Sequence, residues 1–312
     1  GGPTPFETFL DILKKHMAPG GRIVIAIENK FGMKYFAGCK EDHLGTYFSG
    51  IENYPEGGGV RTFTRKGLEK IFAACQIPKY AFYYPYPDYK FMTTLYSDAY
   101  LPDKGELSNN MRNFDRDRMV LFDEKKAFDG TIEDGLFPLF SNSYLAIIGE
   151  RLEVKYARFS NDRAKEYRIR TEICRDENGR IEVKKHPLCK ESEEHIRALA
   201  LAYKNLKQRY DGGNLAINHC ELHEEKGKLW ASFEFILGNT LSELLDACLD
   251  QNDIDGFHAL FRQYVEKIGY NQTYPVSDFD MVFSNIIVKG EKWTVIDYEW
   301  TFGKEVQAKE LA

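Results

Sequence analysis

The sequence has no pair of cysteines at the close spacing of a CxxC motif. Its six cysteines are isolated along the chain, at Cys39, Cys75, Cys174, Cys189, Cys220 and Cys248. This spacing excludes a zinc knuckle and a disulfide framework, because both need cysteines in defined clusters. The pattern therefore predicts free thiols and a reducing compartment.

Long apolar runs and an excess of basic charge are also lacking. No run reaches the roughly 18–20 apolar residues that span a bilayer, and no signal peptide is visible at the start of the chain. With a formal net charge of −6, the protein has no overall basic field to attract nucleic acid or an anionic membrane. We therefore expect a cytoplasmic protein that does not bind nucleic acid.

The chain has enough residues, 312, for two domains. In the first hundred residues, patterns of helix and strand alternate. Apolar residues recur with helical period in 6–17 and 64–76, while 22–28 and 80–86 have the composition of strands. The continuous apolar run in 22–28 is typical of a strand buried on both faces of a parallel sheet. Residues 1–100 are therefore predicted to form an α/β domain.

Residues 101–140 are polar and irregular, and we interpret them as a connector. From residue 141 the pattern changes to short strands, predicted at 144–148, 152–159, 167–173, 181–185, 215–222 and 229–236. An amphipathic helix is predicted over 191–210, and further helices over 241–249 and 257–269. Residues 141–312 are thus predicted to form a second domain, of the α+β class.

The candidate chemistry lies near the end of the chain, where Asp280 is followed by Asn285 and, twelve residues later, by Asp297. Apolar strands follow Asn285 and precede Asp297, so the two side chains would stand on the arms of one hairpin and face one metal ion. Carboxylate and amide oxygens suit Mg²⁺. Phosphoryl transfer needs such a pair, and a carboxylate that orients or deprotonates the acceptor hydroxyl. The same spacing also arises by chance in acidic proteins.

Residues upstream occur in the order that a nucleotide site requires. Residues 233–241 combine an apolar strand, a glycine-containing turn and a helix start, which is the pattern of a hinge that meets adenine. The backbone of Glu234 and Ile236 would make this contact.

A lysine is placed to reach the nucleotide phosphates. Lys185 shares one face of strand 181–185 with two apolar residues, and the helix that follows offers Glu193 or Glu194 as its ionic partner. Lys184 and Lys155 are rival candidates for this lysine, and simple exposure to solvent is the alternative for each.

With these motifs in this order, residues from about 141 to 300 resemble protein kinases and, more closely, aminoglycoside and other small-molecule phosphotransferases. The resemblance implies a two-lobed, protein-kinase-like fold that uses ATP and Mg²⁺. It also implies Asp280 as catalytic base, Asn285 and Asp297 as metal ligands, and Lys185 as the phosphate-binding lysine.

Three features depart from the family pattern. Asp278 stands where the family has a histidine before the catalytic aspartate, and the DFG-like triplet is Asp297-Tyr298-Glu299. No glycine-rich phosphate loop is present, and its place is taken by residues 160–163, in which Arg163 is a candidate phosphate contact. These departures favour, as an alternative, a pseudokinase scaffold without turnover.

The N-terminal part resembles a different family. Pro19-Gly20-Gly21 before the strand 22–28 resembles the late part of class I S-adenosylmethionine-dependent methyltransferases, and 64–76 with 80–86 resemble their closing helix and strand. The resemblance implies a partial, Rossmann-like methyltransferase domain. The family's glycine-rich cofactor loop lies upstream of this part and does not occur in the sequence. S-adenosylmethionine is therefore expected as a cofactor only where that half accompanies this one.

A methyltransferase followed by a kinase is the order seen in bifunctional enzymes of bacterial surface polysaccharide synthesis. This order implies a sugar or other small hydroxyl acceptor and peripheral association with glycan-assembly machinery. Alternatives are methylation as the principal activity of the parent protein, and a plain α/β scaffold. Both ends of the chain look cut, at Gly1-Gly2-Pro3 and at 303–312, so we expect a piece of a longer protein.

Overall fold

The protein folds as two compact units, Gly1–Phe159 and Ser160–Ala312. The computed structural model describes residues 4–55, 57, 59–107, 117–176, 178–213, 215–270 and 272–307. The units divide after Phe159 and not at residue 141, because the strand Ser143–Ile148 pairs with strands of the first unit.

The first unit combines an antiparallel sheet with short helices. Its strands are β1 Ile23–Glu28, β2 Tyr80–Tyr86, β3 Thr94–Ser97, β4 Ser143–Ile148 and β5 Tyr156–Phe159. They are arranged in the order β1-β4-β2-β3-β5, with antiparallel pairing throughout. The helices are α1 Pro5–Lys15, α2 Met33–Phe36, α3 Arg65–Ala74, α4 Glu124–Glu133 and α5 Phe137–Phe140.

The environment of β1 differs from the prediction. The strand is present where expected, but within the described residues it pairs only with the antiparallel β4. Val24 is 58% exposed, so one face is open to solvent and the parallel, fully buried sheet is not formed. A continuous apolar run does not reveal which neighbours a strand will have, and this is why the sequence pattern was misleading.

The predicted connector contains ordered structure that packs into the first unit. Helices α4 and α5 lie within 101–140, and their Phe128 and Phe137 are fully buried in the core. Residues 108–116 of this stretch lie outside the described residues. These two large aromatic side chains help to anchor a polar stretch of the chain, because each buries a large apolar area.

The second unit contains more, shorter strands. They are β6 Ile169–Arg175, β7 Ile181–Pro187, β8 Leu215–Ile217, β9 Cys220–Glu225, β10 Lys228–Glu234, β11 Asn239–Thr240, β12 Thr273–Tyr274, β13 Ser277–Asp278, β14 Ile286–Lys289, β15 Lys292–Val295, β16 Thr301–Phe302 and β17 Val306–Gln307. Its helices are α6 Glu193–Arg209, α7 Leu241–Asp250 and α8 Ile254–Ile268. No helix among the described residues is both long and apolar enough to cross a bilayer.

These strands form two sheets and two short ladders. Strands β6-β7-β10-β9 make an antiparallel sheet. Strands β11-β14-β15-β8 make the second sheet, in which β15 and β8 run parallel. Strand β12 pairs with β17, and β13 with β16. The ladders bring the chain after β15 back against the segment that precedes Asp280.

Helix α6 and the second sheet share one hydrophobic core. Ile196, Leu199 and Leu206 follow one stripe of the helix and are buried with Trp293 of β15. Full burial of an aliphatic side chain contributes about 1.5–3 kcal/mol, so this stripe fixes the rotation of α6 about its axis. The rotation in turn decides which neighbouring side chains of the helix point toward Lys185.

Gly238 allows the segment before α7 to lie against β14. A Cβ atom at this position would come within 2.7 Å of Cγ2 of Ile287 and 3.3 Å of the carbonyl oxygen of Val288. We expect Gly238→Ala to lower the free energy of unfolding by about 1–3 kcal/mol, because the added methyl forces the backbone to shift. Urea unfolding measures this loss. Gly303→Ala, where nothing lies within 4 Å, is the control, and equal stability of the two variants would contradict the close approach.

Candidate active site

Lys185 lies at the centre of an ionic cluster in the second unit. It stands near the end of β7, opposite Ala231 of β10, and is 4% exposed. Its Nζ donates to Oδ1 of Asp297 at 2.8 Å and also to Oε1 of Glu299. Burial alone would lower the pKa of Lys185, but the two carboxylates outweigh it and hold the pKa above its ordinary value.

Glu299 has two further basic residues as neighbours. Nη1 of Arg163 lies 2.6 Å from its Oε2, and Nε2 of His195 lies 3.5 Å from the same atom. Burial would raise the pKa of Glu299, but the charges of Lys185 and Arg163, together with the nearby His195, hold it well below its usual range. Glu299 is therefore ionised in the folded protein.

The ionic partner of Lys185 differs from the one predicted. The carboxylate of Glu194 is 89% exposed, and lies 3.7 Å from Nε of Arg197 one turn along α6. It is His195, the next residue, that faces the cluster. The spacing could have revealed this, because residue 195 is four positions before Leu199 on the buried stripe and residue 194 is not.

Lys184, one of the rival lysines, makes a different contact. Nζ of Lys184 lies 2.7 Å from Oε1 of Glu182 on its own strand, where successive side chains point to opposite faces of the sheet. Lys155 belongs to the first unit. Lys185 is thus the lysine that meets Asp297.

Arg163 is held over this cluster by its own loop. Its guanidinium lies 5.4 Å from the ring centre of Trp300, and its carbonyl accepts a hydrogen bond from Nε of Arg168 at 2.8 Å. Together with the contact to Glu299, these interactions hold residues 160–163, which take the place of a glycine-rich loop.

Asn285 and Asp297 lie at the same end of the β14–β15 hairpin. Ile286 is paired with Val295, so the residues just outside this pair are neighbours. The N–H of Ile296 donates to the carbonyl oxygen of Asn285 at 2.9 Å, which ties the two arms together. The predicted hairpin that carries both side chains is therefore present.

The side chain of Asn285 is oriented by Asp280. Its Nδ2 donates to the carbonyl oxygen of Asp280 at 2.9 Å, and the turn is closed by the N–H of Val282 on the same oxygen at 2.7 Å. Because the amide nitrogen is engaged as donor, Oδ1 is the atom left to act as an acceptor. Among the described residues, no donor contacts Oδ1.

The charges of the cluster also affect the pKa values of two further carboxyl groups, those of Asp280 and Asp278. Burial and the negative charges of Asp297 and Glu299 raise the pKa of Asp280, against the opposing effect of Lys185 and Arg163. These electrostatic interactions indicate that Asp280 shares one site with the ionic cluster.

Asp278 is buried directly behind Asp280. It is 1% exposed, and its Oδ1 accepts the N–H of Asp280 at 3.0 Å. Burial raises the pKa of Asp278 to about 7, helped by the charges of Asp280 and Asp297. A carboxyl group that titrates close to neutral pH thus supports the backbone of Asp280.

The predicted hinge follows β10. Glu234 is the last residue of the strand, and its carbonyl oxygen accepts Nδ2 of Asn218 at 2.9 Å. Ile236 lies outside the strand, and among the described residues no acceptor takes its N–H. The chain then reaches Thr240, which caps α7 with reciprocal bonds to Glu243 at 3.1 and 2.6 Å.

Asn218 connects this hinge to the segment carrying Asp297, and no motif or periodicity indicated this role. Besides its bond to Glu234, its N–H donates to the carbonyl oxygen of Val295 at 2.9 Å. Its own carbonyl oxygen accepts the hydroxyl of Tyr298 at 2.7 Å. One buried residue therefore contacts both sides of the site.

The oxygen atoms of Asn285 and Asp297 suit a divalent cation. Within the described part of the chain, no group of three His, Cys, Asp or Glu side chains has the arrangement of a metal centre. Two protein ligands match Mg²⁺, which keeps several waters and takes further oxygens from nucleotide phosphates. The side chain of Asp297 is 37% exposed, so it remains accessible.

No protein-family model matches this chain, and no curated protein matches it. Several solved structures are similar to it. One is the apoenzyme of the macrolide 2'-phosphotransferase MphH from Brachybacterium faecium, with 12% identity and a TM-score of 0.27 over 49% of this chain and 68% of that one.

Two more solved structures are a bifunctional kinase-methyltransferase and a protein described as PpkA-294 in its apo form. The first, WbdD, has 16% identity and a TM-score of 0.26 over 52% of this chain and 39% of that one. The second has 16% identity and a TM-score of 0.23 over 48% and 56%. In both cases the match spans less than two thirds of the other protein. A phosphotransferase and a kinase-methyltransferase are thus among the structures to which this chain is similar.

Proposed function

We propose that the second unit binds ATP with Mg²⁺ and transfers the γ-phosphoryl group to a hydroxyl acceptor. The observation that carries this proposal is the direct contact of Lys185 with Asp297, beside an Asn285 whose amide is fixed to Asp280. A buried cation, two oxygen ligands and a carboxylate with a raised pKa are the groups that phosphoryl transfer uses.

Each residue has a role that follows from its contacts. Oδ1 of Asn285 and the carboxylate of Asp297 would hold Mg²⁺, which neutralises charge on the phosphates, and Lys185 would bind the phosphate oxygens. Asp280 accepts the proton of the acceptor hydroxyl. At the same time, the hydroxyl oxygen forms a bond to the γ-phosphorus, and the bond between that phosphorus and ADP breaks. Burial aids this step, because a general base acts best when its pKa approaches the working pH.

The hinge would bind the base of the nucleotide. A carbonyl oxygen has two lone pairs, so that of Glu234 can accept an adenine amino group in addition to Asn218. The N–H of Ile236 would donate to a ring nitrogen. This arrangement supports a purine nucleotide as the phosphoryl donor.

The acceptor that we propose is a sugar or another small hydroxyl compound in bacterial surface glycan synthesis. The proposal rests on the resemblance of the motifs and on their order after a methyltransferase-like region. For the first unit, a partial methyltransferase remains our proposal, and S-adenosylmethionine would bind only where the glycine-rich half of that domain accompanies it. The compartment we propose is the cytoplasm.

Titration with ATP, with and without Mg²⁺, tests the phosphotransferase proposal. In the wild type, Mg²⁺ should tighten ATP binding. In Asp297→Ala this gain should disappear, with affinity for the magnesium complex lower by roughly 10–100-fold, the usual cost of losing a charge-assisted contact. Isothermal titration calorimetry measures both affinities.

The control variant is Asp211→Ala, which removes an exposed aspartate of the same unit and should bind like the wild type. Absence of ATP binding by the wild type would contradict the proposal. Binding that responds equally to Mg²⁺ in Asp297→Ala would contradict the role of Asp297.

A pseudokinase scaffold is the second candidate, and one observation favours it. Lys185 is already bound by two carboxylates, and Arg163 lies over them. A site closed in this way suits a domain that binds partners without turnover. ATP binding without ADP formation from any hydroxyl acceptor would support this candidate.

A further inference from the structure

Glu299 is a buried carboxylate that contacts three basic side chains in this site. Its side chain is 4% exposed and contacts Lys185, Arg163 and His195. Neither the predicted catalytic set nor the proposed metal ligands include it. A buried carboxylate with three such neighbours needs a function or a structural reason, because burying a charge is costly.

The side chains of Glu299 and Asp297 both point toward Lys185. Tyr298, between them, is 1% exposed and its hydroxyl is bound to the carbonyl oxygen of Asn218. With Tyr298 anchored in the core, the residues on either side of it both reach Nζ of Lys185. The ammonium group thus bridges two carboxylates that differ in accessibility, since Asp297 is 37% exposed and Glu299 is 4% exposed.

We propose that Glu299 is the positioning residue for the phosphate-binding Lys185, in place of a carboxylate on helix α6. This inference rests on the proposed function. Glu299 holds the ammonium group at the buried side, so that the exposed Asp297 is free to bind the cation. Arg163 and His195 fix Glu299 in turn, from the loop before β6 and from α6.

The charges of the cluster support this division of roles. Lys185 and Arg163 carry two positive charges, and Asp297 and Glu299 two negative ones. Without the charge of Glu299, Lys185 would keep its contact with Asp297 but lose the buried carboxylate, and it would draw Asp297 away from a bound cation. Loss of Glu299 should therefore weaken the magnesium complex specifically, and raise the Mg²⁺ concentration that ATP binding requires.

The test is Glu299→Gln, which removes the charge and keeps the shape. We expect affinity for ATP with Mg²⁺ to fall roughly tenfold or more, measured by calorimetry at several Mg²⁺ concentrations. Glu194→Gln changes the exposed helix carboxylate that the sequence first suggested, and should bind ATP like the wild type.

A second substitution separates positioning from a merely structural role. His195→Glu in the Glu299→Gln background returns a carboxylate to the cluster from α6, since Nε2 of His195 lies 3.5 Å from Glu299. We expect this double variant to recover most of the lost affinity. A structural role of Glu299 would give no such recovery, and absence of recovery overturns the proposal.

Each of the other outcomes also distinguishes the positioning role of Glu299 from the proposed function. Unchanged affinity in Glu299→Gln overturns the positioning role while the proposed function stands. Absence of ATP binding by the wild type overturns both, and is distinguishable because the wild type is measured first. Where Glu299→Gln does not fold, Glu299→Asp keeps the charge but withdraws it from Lys185. It should show the same loss, and wild-type affinity in this variant overturns the proposal.

Discussion

Replacing Asp280 with asparagine is expected to slow phosphoryl transfer by roughly 10²–10⁴-fold, the usual contribution of a general base. Asparagine keeps the shape of the side chain and the backbone carbonyl that orients Asn285. It cannot accept the proton of the acceptor hydroxyl. Affinity for ATP and Mg²⁺ should therefore remain within about twofold of the wild type, since the loss is confined to the transition state.

The measurement is ADP release in the presence of a panel of sugars, with ATP affinity determined in parallel. Asp211→Asn is the control, because it makes the same chemical change at an exposed site of the same unit. Turnover at the wild-type rate in Asp280→Asn would exclude Asp280 as the base. Equal loss of binding and turnover would indicate a ligand role for Asp280 instead.

The second large effect is expected at Asp278, as a dependence of stability on pH. Its carboxyl group titrates near 3.8 when unfolded and near 7 in the folded protein. Below pH 4 the group is protonated in both states, and its contribution to stability is fully present. As pH rises through 7 this contribution is lost, because the folded protein must then bury a charge. The full penalty is about 4 kcal/mol, since each pKa unit corresponds to about 1.4 kcal/mol.

Asp278→Asn removes this titration and keeps an acceptor for the N–H of Asp280. We expect the variant to gain stability over the wild type as pH rises from 4 to 8, with the gain largest above pH 7. Urea unfolding across this range measures the difference, with Asp211→Asn as the exposed control. A wild-type stability that does not decline between pH 5 and 8 relative to Asp278→Asn would contradict the raised pKa of Asp278.

The positions of helices and strands were predictable where they depend on the residues of that one element. Strand β2 lies at the predicted 80–86, and α6 lies within the predicted 191–210, because periodicity and composition are local properties of the chain. The β14–β15 hairpin followed from two apolar runs close in sequence, and Asn285 and Asp297 lie at the same end of it. Their role as metal ligands stays a prediction.

Contacts between distant residues were not predictable in the same way. Glu299 is 114 residues from Lys185, and many carboxylates lie nearer in sequence. The choice among them depends on the rotation of α6 and on the anchoring of Tyr298, which tertiary packing decides. The antiparallel neighbour of β1 was missed for the same reason, since pairing is a property of two strands and not of one.

The hydrogen bonds of Asn218 have a consequence for the entropy of nucleotide binding. Because the side chain and backbone of Asn218 bond to Glu234, Val295 and Tyr298, the segment proposed to meet the base and the segment proposed to meet the metal are hydrogen-bonded to each other in the folded protein. A ligand that spans both does not need to order them on arrival. The free energy of such preorganisation is supplied when the protein folds, and binding is stronger by the ordering cost that is avoided.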